Sequence, residues 1–214
     1  VTGVQTCALP IFTLLLGGVF TNLMGAQAAQ NPNIILIYSD DHGWADLGVQ
    51  GVDNDIRTPN LDALARDGVR CSRGYVSAPQ CVPSRAGVLT GRYQQRFGVE
   101  DNNRGPLPLN EVTIAERLRE AGYVTGQVGK WHLDITGSKT APKSARVSKD
   151  HMPHAQGFEE YFRGELSPFY ASHSLRGEPF ADAPHLVTDK RFRVEVQTEA
   201  ALAFLDRRAK RPEQ

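Results

Sequence analysis

Three short stretches carry side chains whose types and spacing could do chemistry. Asp40 and Asp41 stand together in Ser39-Asp40-Asp41-His42-Gly43. Two hard anionic oxygen ligands suit Ca²⁺ or Mg²⁺. Neighbours on a regular strand point to opposite faces, but where the chain breaks into a loop before Gly43 both carboxylates can turn to one point. Taken alone, the pair reads equally well as a capped turn. The second stretch is Cys81-Val82-Pro83-Ser84-Arg85-Ala86-Gly87. Pro83 suits a first helical turn, which places Cys81 just before the helix, where amide N–H groups and the positive helix end attract anions. Arg85, four residues on, returns toward the same end. By itself a cysteine is more often a small buried hydrophobe. The third is Gly129-Lys130-Trp131-His132. If a strand continues through Lys130, then Lys130 and His132 share one face and Trp131 packs on the other. A cation beside an imidazole suits a developing anion and proton transfer. A surface lysine and a satisfied histidine are the plainer reading of that pair in isolation.

The elements that must position these groups alternate. Asn33 to Ser39 (NIILIYS) is an apolar run that reads as a parallel strand buried on both faces. In open α/β sheets ligands bind beyond the carboxyl ends of strands, where Asp40 and Asp41 fall. Thr58-Pro59 opens a helix with Leu61, Leu64 and Ala65 as its buried stripe, and Gly68 ends it. Val69 to Val76 reads as a strand, and 83–89 as a helix. Thr113 and Glu116 form a capping box for a helix from Ile114 to Ala121, closed by Gly122. Tyr123 to Val128 reads as a strand, 136–155 as a polar loop, and 188–208 as an amphipathic helix. Strands alternating with helices predict an α/β fold, a mostly parallel sheet flanked by helices.

Bulk properties narrow the class further. The 214 residues hold 24 basic and 24 acidic side chains, so nothing suggests a nucleic-acid partner. Hydrophobic residues make up 40%, as in ordinary globular proteins. No charge occurs in residues 1–30. Ile11 to Phe20 is apolar and Ala26-Gln27-Ala28 follows, the pattern of a signal peptide cleaved near Ala28. The run is short for a stable membrane span. Val1 to Ile11 (VTGVQTCALPI) resembles the translation of a sequencing adapter and, with Cys7, is set aside. The organisation expected is therefore 1–11 adapter-like, 12–29 partial signal peptide and 31–214 the domain that carries the three stretches, of a periplasmic or secreted protein. An oxidising compartment permits a Cys71–Cys81 bridge, but the motif around Cys81 gives that thiol another job.

Together and in this order, the three stretches resemble the type I sulfatases of the alkaline-phosphatase-like superfamily. Cys81-x-Pro83-x-Arg85 matches the sequence read by the formylglycine-generating enzyme. Gly129 to His132 matches the second sulfatase signature, and Asp40-Asp41 the first pair of calcium ligands. Leu107-Pro108-Leu109-Asn110-Glu111-Val112-Thr113 is also sulfatase-like. The resemblance implies an enzyme that cleaves sulfate monoesters, of a carbohydrate or another sulfated small molecule. Cys81 would be oxidised to formylglycine (3-oxoalanine) by a formylglycine-generating or anaerobic sulfatase-maturating enzyme. The hydrated aldehyde would attack sulfur through one hydroxyl, expelling the alcohol, and the other hydroxyl would then collapse to the aldehyde and eject sulfate. It implies Ca²⁺, with Mg²⁺ as the alternative, on Asp40, Asp41 and residue 81. Arg85 and Lys130 would orient the diol and offset its charge, and His132 would hydrogen-bond it and accept a proton.

Some positions depart from the family pattern. Gln80 and Val82 flank the cysteine where other residue types are commoner, and Asp134 stands where glycine is usual. The family's second metal-ligand pair and its further active-site His and Lys find no match before Gln214; His173 and His185 lack the context of that histidine. The expectation is an N-terminal fragment of a sulfatase. A phosphonate or phosphate monoester hydrolase of the same superfamily, or a non-catalytic fragment, are the competing expectations.

Overall fold

The computed structural model describes residues 31–52, 55–136 and 146–210. The adapter-like and signal-type stretches lie outside the described residues. The chain divides into two compact units, Val1–Asp41 and His42–Gln214. Of the first, 31–41 are described. The apolar run 33–39 makes no strand there, and Ile34, Ile35, Leu36 and Ile37 are exposed. This corrects the expectation of a doubly buried strand. Such a strand needs ladder partners along its edges and covering elements on its faces, and among the described residues it pairs with none. Asp41 ends the unit with φ 52°, in the left-handed region where a short polar side chain is tolerated.

In the second unit, helix α1 spans Pro59–Asp67, α2 Cys81–Thr90, α3 Ile114–Glu120 and α4 Arg193–Ala209. Strands β1 (Gly126–Gly129), β2 (Glu160–Arg163), β3 (Phe169–Ala171) and β4 (His185–Val187) form one sheet in that order. β1 and β2 are parallel, with Gly126 opposite Glu160, and the β2–β3 and β3–β4 pairs are antiparallel. The α/β class holds, with a mixed sheet among the described residues. The capping box starts α3: Thr113 Oγ1 accepts the Glu116 N–H and Glu116 Oε2 accepts the Thr113 N–H. No helix among the described residues is long and apolar enough to cross a membrane.

Several expected elements are absent or shifted. Residues 69–76 are irregular, with Val69, Tyr75 and Val76 exposed. α1 has the expected bounds, yet Leu61 and Leu64 are exposed. Thr58 does not cap it; its hydroxyl accepts the Gly48 N–H and donates to Asp62. α4 starts five residues later than the periodicity suggests, at Arg193.

Two apolar clusters set the geometry. Val82 and Ala86 of α2 pack with Val99, Leu107, Trp131 and Leu133. On the sheet, Phe162 of β2, with Phe169 and Ala171 of β3, packs against Val196 and Ala200 of α4. The first cluster decides the site. Val82 and Ala86 are one turn apart on α2, and Trp131 and Leu133 are two apart just beyond β1. Burying those four aligns the adjacent stripe, Cys81 and Arg85, with the alternate residues Lys130 and His132. Trp131 is further held by its Nε1–H, which donates to the His151 carbonyl at 2.9 Å, and by an edge contact with Phe158.

Candidate active site

Cys81 is the first residue of α2, half-buried, with a free thiol. Pro83 falls in the first turn, as its fixed φ and missing N–H favour. The amides expected to attract an anion at this helix end are in part already engaged. The Val82 N–H is taken by Asn102 Oδ1 at 2.9 Å, Pro83 has no N–H, and the Ser84 N–H goes back to the Gln80 carbonyl. Side chains add positive character there. Arg85 is buried, and its Nη1 donates to the Lys130 carbonyl at 2.7 Å, tying α2 to the end of β1.

β1 stops at Gly129, whose φ of 97° turns the chain out of the strand. Lys130 and His132 are therefore not strand residues, a correction to the expected face-sharing pair. They meet through the turn: His132 itself has φ 61°. The expectation for Trp131 holds, since it is buried in the core. Lys130 Nζ lies 3.5 Å from Cys81 Sγ and 3.5 Å from Glu165 Oε1. Glu165 also faces Arg193 at 3.8 Å. Burial holds the His132 imidazole below its ordinary value; Lys130, Arg85 and Arg163 push it the same way, and Glu165 opposes them. His132 Nδ1 is buried with no hydrogen-bond partner among the described residues.

The structure thus brings Cys81, Arg85, Lys130 and His132 together. Asp40 and Asp41 belong to the first unit and are exposed there. As donors, two adjacent carboxylates fit a hard divalent cation. Cys71 and Cys81 are both free, so the bridge is not formed. His173 lies beside Glu160, and His185 beside Asp182.

Sequence reasoning missed Glu165 and Asn102. Glu165 follows β2 in no recognisable motif. Asn102 stands in Asp101-Asn102-Asn103, a run of turn and cap formers whose partner is not legible from spacing. It also left Asp134 unexplained: that carboxylate is fully buried and meets Arg163 of β2 at 2.6 Å.

A free thiol at a helix start, with a lysine, an arginine and an imidazole gathered at the end of a β-strand, forms the candidate site of this α/β fold. The sulfatase family model matches residues 32–213, and the chain belongs to that family. It is 41% identical over 162 residues to arylsulfatase G of Rattus norvegicus, covering 70% of this chain and 28% of that protein. It is 50% identical over 135 residues to arylsulfatase A of Bos taurus, covering 61% of this chain and 25% of that protein. Among solved structures, Ps i-CgsB matches with TM-score 0.65 and 30% identity, over 83% of this chain and 42% of that one. BT4656, solved in complex with its substrate D-glucosamine-2-N,6-O-disulfate, matches with TM-score 0.62 and 27% identity, over 82% of this chain and 31% of that one. The chain therefore spans about a quarter of the length of these curated relatives.

Proposed function

We propose that this chain carries the nucleophile half of a sulfatase active site that hydrolyses sulfate monoesters of a carbohydrate. The observation that supports it most is the placement of Lys130 Nζ 3.5 Å from Cys81 Sγ, in a chain of the sulfatase family. Position 81 is the residue to be converted to formylglycine by a formylglycine-generating or anaerobic sulfatase-maturating enzyme. Its free, half-buried thiol within Cys-x-Pro-x-Arg fits that modification. The aldehyde, once formed, supplies a carbon that takes up water and offers a hydroxyl nucleophile to sulfur. By the family resemblance, Asp40 and Asp41 would supply carboxylates to Ca²⁺, or Mg²⁺ in its place, which supplies polarisation of sulfate oxygens.

The chain's own groups do the rest. Arg85, anchored on the Lys130 carbonyl, keeps a fixed positive charge at the start of α2. Lys130 offsets negative charge on the side chain at position 81 and orients it. Burial and the neighbouring cations keep His132 neutral near pH 7, so its ring can accept a proton. Glu165 limits the surplus of positive charge. The relative solved with a glucosamine disulfate as its substrate supports a sulfated carbohydrate as the substrate class. The signal-type stretch at 12–29 supports a periplasmic or secreted location.

The test is hydrolysis of an aryl sulfate, an aryl phosphate and a sulfated glucosamine by the matured protein and its Cys81→Ala variant. Sulfate release from both sulfated substrates, lost in Cys81→Ala, is expected. Preference for the phosphate ester, or sulfate release untouched by Cys81→Ala, would contradict it.

A further inference from the structure

Helices ordinarily satisfy their first amides with a Ser, Thr, Asp or Asn at the N-cap. α2 starts without one: its N-cap is Gln80, which makes no side-chain cap bond. The acceptor comes from 20 residues further along, where Asn102 Oδ1 accepts the Val82 N–H at 2.9 Å. The grip is returned, because the Asn102 N–H donates to Gln80 Oε1 at 3.0 Å. Position 81 thus sits between two residues that are both tied to Asn102. Below this bracket Val82 is fully buried in the cluster of Val99, Leu107 and Trp131.

We propose that Asn102 is a positioning residue for the nucleophile, holding position 81 against Lys130 and Arg85 through the Val82 backbone and the Gln80 side chain. The proposal rests on the reading of Cys81 as the nucleophile precursor. First turns of helices fray when their amides lack acceptors. Here fraying would release the side chain at 81 from its distance to Lys130 Nζ, and small misplacements of a reacting group are costly in rate. The bonds of Asn102 run to the Val82 N–H and the Gln80 side chain, so it acts on position 81 through its two neighbours.

The unmodified thiol reports that placement directly. Iodoacetate is an anion and iodoacetamide is neutral. The ratio of their alkylation rates at Cys81, divided by the same ratio at exposed Cys71, reads the positive field on the sulfur. The native ratio is expected above unity. Asn102→Ala should lower it about threefold and speed amide exchange at Val82 about tenfold, the scale of a lost cap. Gln80→Ala, which removes one tie, should shift both in the same direction by less. Arg104→Ala, in the same turn but with its side chain directed to Asp101, should shift neither. General loosening of the fold would lower the melting temperature and speed amide exchange across the helices, not at Val82 alone. A folded Asn102→Ala protein with native ratio and native Val82 exchange overturns the proposal. If that variant does not fold, Gln80→Ala decides, and native values there overturn it equally. Failure of the sulfatase reading would appear in ester hydrolysis, which neither readout uses.

Discussion

Asp134, fully buried, pairs with the half-buried Arg163, whose charge reaches His132 of the candidate site. Burial pushes the Asp134 carboxyl above its ordinary range, and the Arg163 guanidinium opposes that push. Their bond at 2.6 Å joins the segment after β1 to β2. Removing one partner of such a pair leaves a desolvated charge, so Asp134→Ala should cost about 3–5 kcal/mol in chemical denaturation. The double variant Asp134→Ala/Arg163→Met should recover most of it; no recovery would show that the pair is not the cause. At His132 the sign of the pH effect follows from its depressed value. Below the ordinary 6.5 the unfolded chain binds a proton that the folded chain refuses. Stability therefore rises with pH through that window and is lost on acidification below it. Burial depresses His173 as well, with the same sign. Denaturation above and below pH 6.5 should show this slope, and His132→Asn should flatten it in part. An unchanged slope would mean that the imidazole is not desolvated as described.

At the scale of elements, α4 rests on β1 and β2 through close approach. A Cβ on Gly126 would meet the Phe204 ring at 2.8 Å. Gly126→Ala should therefore cost about 1–3 kcal/mol through overpacking, and Phe204→Leu in the same chain should relieve it. Thermal melts of the two variants check this; a neutral Gly126→Ala would show that the ring moves aside freely. The same elements show what was legible in the residues. α1, α2 and α3 announce themselves through Pro59, Pro83 and the Thr113–Glu116 box, because proline and capping chemistry act within one turn. The apolar runs 33–39 and 69–76 read as strands, yet a strand exists only where another strand's ladder meets it. β2, β3 and β4 were missed for the complementary reason: three or four residues each, they owe their state to register with one another. The site was partly legible. Cys81, Arg85, Lys130 and His132 come from motifs, while Asn102 and Glu165 act on them across long sequence separations that no local pattern encodes.

At the scale of the whole molecule, like charges are gathered at one place. Four cationic side chains, Arg85, Lys130, Arg163 and Arg193, lie about the imidazole and Glu165, although the chain as a whole is neutral. That concentration suits an anionic ligand, and under the proposed function the chemistry falls on position 81. Its chemical state can be read from one peptide, Gly74 to Arg85, which trypsin releases after Arg73 and Arg85. The protein should be produced together with a formylglycine-generating enzyme that matures a control sulfatase in the same cells, and that peptide weighed. An aldehyde at position 81 that a hydrazide reagent captures is expected. An intact thiol in that peptide, beside a fully matured control, would contradict it.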